Sequence, residues 1–137
     1  MRSTPPPGET LARQGWISLA LWITFGLLLE GFIGFRTPAL LDDSVRRELF
    51  RLAHAHGTLL SIVLIVAALC ARLKLIRLAR MGALGLRAAA LVLPCGFLLG
   101  GLWHFTDDPG IGIVLVPLGA LLFLATALHL AWSASPR

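Results

Sequence analysis

Arg51-Leu52-Ala53-His54-Ala55-His56-Gly57-Thr58 leads without a break into Leu59-Leu60-Ser61-Ile62-Val63-Leu64-Ile65-Val66-Ala67-Ala68-Leu69-Cys70-Ala71. As a helix from about Leu49 to Ala71 this run is long enough, at ~1.5 Å per residue, to cross a ~30 Å hydrocarbon core. Two imidazoles enter the membrane with it. Ionisable groups at that depth are costly and as a rule face a protein interior or a polar cavity. The same stretch therefore decides the fold and asks what meets the histidines.

Outward from it lie three more apolar blocks, about 16–35, 86–105 and 111–132. Hydrophobic residues make up 57% of the 137-residue chain and charged residues 14%, against roughly 45–50% and 25% in soluble domains. Four such blocks cannot be buried inside a soluble domain of this size. The reading is an all-α integral membrane protein, a four-helix transmembrane bundle over 16–132. Residues 1–15, with Pro5-Pro6-Pro7-Gly8, are expected to form a flexible cytoplasmic tail, and 133–137 a second one.

The formal charge of +5 does not point to nucleic acid, because the basic residues lie at helix ends and in one loop. Arg72, Lys74, Arg77, Arg80 and Arg87 follow one another with no acid among them. By the positive-inside rule that loop is cytoplasmic, as are both termini, in a bacterial inner membrane. Anionic lipid binding is the other reading of the same charges. Asp42, Asp43 and Ser44 supply N-cap chemistry for the second span. Cys70 and Cys95 lie in different blocks without CxxC spacing and read as ordinary buried thiols.

Measured from the loops, Glu30 lies about 9 Å inside the outer boundary and His54 and His56 about 5–8 Å below Arg51. His104 lies within roughly 5 Å of the turn at Asp107. Four ionisable side chains from three helices are thus expected in one shallow layer near the outer face. Glu30, between Gly26 and Gly34, is expected to turn toward the bundle. His54 shares a face with Thr58 and Ser61, while His56 points roughly 200° away. His129 has no partner at its depth.

Imidazoles from two helices can hold a haem iron axially, and glycines beside them admit a flat macrocycle. The expected cofactor is haem b, with His104 and either His54 or His56 as ligands and Arg51 on a propionate. Copper, iron or zinc held by His54, His56, His104 and Glu30 is the alternative. Such a site serves electron transfer or redox or gas chemistry. Two other classes stay open: a structural or assembly subunit, with histidines that only hydrogen-bond, and a small proton or metal transporter. A homodimer or membership of a larger membrane complex fits the glycine-lined faces.

Gly26-x-Leu28-Leu29-x-Gly31 matches Gly96-x-Leu98-Leu99-x-Gly101, and Gly57-x-Leu59-Leu60 matches Gly119-x-Leu121-Leu122. The pattern is that of two similar helical hairpins. His54-Ala55-His56-Gly57-x-Leu59-Leu60 resembles the histidine-bearing helices of haem–copper oxidases and nitric oxide reductases. The chain also resembles small uncharacterised four-helix bacterial membrane proteins. The resemblance implies haem or copper binding at His54 or His56; it does not extend to oxygen chemistry.

Overall fold

The computed structural model describes residues 6–105 and 107–133. It is all helical: α1 (Pro7–Gly34), the single turn α2 (Pro38–Leu41), α3 (Ser44–Arg72), α4 (Arg80–Leu102), a 3-10 turn (Ile111–Val114) and α5 (Leu115–Ser133). Four helices are long and apolar enough to cross a membrane, and together they form the four-helix bundle of a multi-pass protein. α1 packs on α3, α3 on α4, and α4 on α5. Large apolar side chains such as Leu21, Leu27, Leu121 and Trp132 stay exposed on α1 and α5. In a bilayer those faces meet lipid tails, so their exposure costs nothing there.

The core is built from small and branched residues of the inner helices. Leu60, Leu64, Ala67 and Ala68 of α3 meet Ala83, Leu86, Ala90 and Leu93 of α4. Leu11 joins them with no exposed surface. That residue falls in the expected tail, and the structure corrects the expectation: from Pro7 the chain is helical. Proline is destructive inside a helix but suited to its first position, where its missing N–H has no partner to lose. Pro6 takes the extended cap conformation and Pro7 opens the helix.

α4 also differs from expectation, starting at Arg80 and ending at Leu102 rather than running from 86 to 105. Pro94 lies inside it, fully buried. Past Leu102 the chain breaks to extended geometry at Trp103, and Phe105 bridges to Asp108. His104 is thereby lifted off the helix. Of the expected N-cap group, Asp43 performs the capping: its carboxylate accepts from the Arg46 N–H at 2.9 Å.

Candidate functional site at the α1–α3 groove

α1 and α3 approach closely at Gly15, beside Ile65 and the Ser61 carbonyl, and further along at two reciprocal glycine contacts. A side chain at Gly26 would run into the imidazole of His54, and one at Gly57 into the indole of Trp22. Each helix thus lays a ring over the other's glycine. Gly26 is four residues after Trp22, the position that would otherwise screen the Trp22 carbonyl. The bare backbone there lets His54 reach it: His54 Nδ1 lies 2.8 Å from the Trp22 oxygen. A carbonyl can only accept, so Nδ1 donates, and in the neutral ring Nε2 carries the lone pair. Among the described residues Nε2 has no protein partner, and it is not among the atoms sealed inside the fold.

His54 lines a groove of about 660 Å³ between the two helices. Glu30, one turn beyond Gly26, borders it from α1, and Arg51 and Thr58, one turn to either side of His54, border it from α3. Ile23, Leu27 and Leu52 make much of its wall apolar. Glu30 is exposed and belongs to this groove, where it had been expected to turn into the bundle. A glycine at 34 contributes nothing to packing, since a side chain there would meet no atom. Arg51 stands at the rim, 3.6 Å from Glu48 and well exposed.

The other histidines are elsewhere. His56 Nδ1 donates to the Leu52 carbonyl of its own helix at 2.9 Å, and its ring lies against Phe97 of α4, centroids 4.9 Å apart. His54 and His56 therefore face different helices, as their spacing requires. His104 Nε2 is 2.8 Å from the Asp43 carboxylate, and the side chain is only 5% exposed. Asp43 caps α3 eleven residues before His54, a rise of about 16 Å. The structure does not bring His104 together with His54 or His56, and the single shallow layer of four groups does not form. The expected depths assumed that α4 ran on to Phe105 and that α3 met the boundary near Leu49. Instead α4 stops early and α3 begins at Ser44, so His104 sits over the start of α3 while His54 lies deep in it. Among the described residues no three His, Cys, Asp or Glu side chains are grouped to hold a metal ion.

Around His104 the end of the bundle is tied down by side chains of the α1–α3 connection and the first turn of α3. Arg46 Nε donates to the Gly101 carbonyl at 3.2 Å, and Arg47 donates to the Leu41 carbonyl at 2.6 Å. Burial pushes the Asp43 carboxyl up, but the Arg46 N–H, the His104 hydrogen bond and the positive charges of both partners outweigh it and hold it below its ordinary 3.8. His104 Nδ1 is buried and has no partner among the described residues. This cluster clamps the α1–α3 connection to the end of α4.

In comparisons with protein-family models, curated proteins and solved structures, nothing matches this chain.

Proposed function

We propose that this multi-pass membrane protein binds haem b through one imidazole, His54, in the groove between α1 and α3. The observation that carries the reading is the state of that ring. One nitrogen is fixed by a backbone carbonyl, and the other is an open lone pair in a lateral groove of cofactor size. Metal-ligating histidines are held in this way, because the outer hydrogen bond sets the tautomer and raises ligand basicity.

The residues fit haem better than a bare ion. A transition-metal ion draws three or more ligands from protein, and among the described residues no such group is assembled. A porphyrin brings four nitrogens of its own and needs one axial side chain. Arg51 at the rim suits a propionate, and the apolar wall suits the macrocycle. Glu30 supplies an acid or base at the same mouth. Such a group would supply redox or gas-binding chemistry, with one coordination position left for a small molecule or for a partner's ligand. His56 and His104 keep structural roles in this reading. The basic end of the bundle faces the cytoplasm of a bacterial inner membrane.

A structural or assembly subunit is the second reading. It is favoured by one observation: His54 and His56 each already satisfy a carbonyl within the fold. The experiment that separates the two is purification from haem-replete cells, with oxidised and reduced absorption spectra and elemental analysis. The haem reading expects a Soret band near one haem per chain. A colourless, metal-free preparation that takes up no added hemin leaves the structural reading standing.

A further inference from the structure

At the opposite end of the bundle, α4 places Arg80, Ala83, Leu84 and Arg87 at i, i+3, i+4 and i+7, one face of the helix. The first turn of α1 lies against that face. Pro6, Pro7 and Thr10 complete a cavity of about 360 Å³ with the two arginines at its ends, Ala83 as a buried floor and Leu84 as an exposed apolar edge. Arg87 is held in place. Its Nε donates to Gln14 Oε1 at 2.6 Å, and Gln14 Nε2 donates back to the Arg87 carbonyl at 3.0 Å. This reciprocal pair uses one of the five guanidinium donors. Among the described residues the terminal nitrogens have no protein acceptor, and they are not sealed off. The ion pairs formed by the described residues all lie at the other end, between Asp43 and Arg46, Glu48 and Arg51, and Asp43 and His104. Arg80 and Arg87 thus line one cavity, and among the described residues no carboxylate pairs with either.

A planar guanidinium fixed at one nitrogen presents the remaining fork to a phosphate in bidentate geometry. The cavity opens where α4 enters the apolar layer, and Leu84 continues it along the lipid-facing surface. We propose that it binds the phosphate of an anionic phospholipid, with Arg87 as the fixed donor, Arg80 as the second and Gln14 as the residue that positions Arg87. The apolar edge selects a lipid over a soluble phosphate.

The test uses the full chain in neutral phosphatidylcholine nanodiscs, with phosphatidylglycerol titrated in and retained lipid read by native mass spectrometry. Phosphatidylglycerol should be retained over phosphatidylcholine. Arg80→Gln and Arg87→Gln should each weaken that preference about fivefold, the effect of roughly one surface cation on an anionic lipid. Gln14→Ala should weaken it less, and Arg87→Lys should not restore it fully. Arg13→Gln, an exposed charge outside the cavity, should leave it unchanged. Arg80 is exposed, so its variant tests the site even if Arg87→Gln fails to fold. An equal loss in Arg13→Gln would reduce the effect to diffuse charge and overturn the site. Displacement of the lipid by millimolar inorganic phosphate would make a soluble anion the ligand and overturn the lipid assignment.

Discussion

The two hairpins cross at matching glycines but fill the crossings differently. In α4 and α5, Gly96 and Gly119 let backbone meet backbone. A side chain at Gly119 would lie 2.7 Å from the Leu93 nitrogen, and one at Gly96 2.8 Å from the Val116 nitrogen. In α1 and α3 the equivalent glycines, Gly26 and Gly57, face rings, those of His54 and Trp22. The first arrangement is closed. The second seats a ring over each of these glycines and leaves a groove beside His54. A shared hairpin pattern thus yields a packing joint in one half and a candidate site in the other.

The sharpest way to break this comparison is Gly119→Ala. The clash is with main chain, which cannot rotate aside, so destabilisation of roughly 1–3 kcal/mol is expected, the usual cost of overpacking. Thermal unfolding in detergent reads it. Gly26→Ala should cost less, because the obstacle is a side chain. In a His54→Ala background the obstacle is gone, so Gly26→Ala should become nearly neutral there. A double-mutant cycle with a coupling of about 0.5–3 kcal/mol is expected, and additivity would refute the ring-over-glycine contact.

The single substitutions sharpen the contrast between the histidines. His54→Ala removes a bond between helices and should lower stability by about 1 kcal/mol. His56→Ala removes a bond within one turn of α3 and a contact with Phe97, so its effect should be smaller. Gly31 has open space around it. Gly31→Ala should therefore be neutral or stabilising by up to about 1 kcal/mol, through helix propensity alone.

Acid should act on the end clamp. The Asp43 carboxyl has its folded pKa held below 3.8. Its contribution is present above that unfolded value and is lost as pH falls through the lower folded one. Unfolding temperature should therefore drop below about pH 4, and Asp43→Asn should flatten that drop. An equal acid response in the variant would show that other carboxylates dominate.

The spans were legible because blocks of apolar residues leave little choice in a chain this short. The opposed faces of His54 and His56 followed from helical spacing alone. The ends were not legible. Pro5-Pro6-Pro7 reads as a breaker, yet Pro7 starts α1, and only the burial of Leu11 against α3 and α4 reveals why. His104 was assigned to a helix because Leu102-Trp103-His104-Phe105 has no breaker in it. The chain leaves the helix there because of tertiary ties at Asp43 and Gly101. The partner of His54 is a main-chain carbonyl, which carries no residue signature. Gly26 was visible as a packing residue, but what it uncovers could be seen only once α3 was placed against it.

The proposed function requires His54 Nε2 to be a ligand rather than a bystander. The direct measurement is the reduced-minus-oxidised absorption spectrum of His54→Gly, with and without added imidazole, beside His56→Ala and His104→Ala. His54→Gly should lose the haem spectrum and regain it when imidazole fills the vacated place, while the other two variants keep it. A haem spectrum that persists in His54→Gly without imidazole, or a wild-type protein with none to lose, would contradict it.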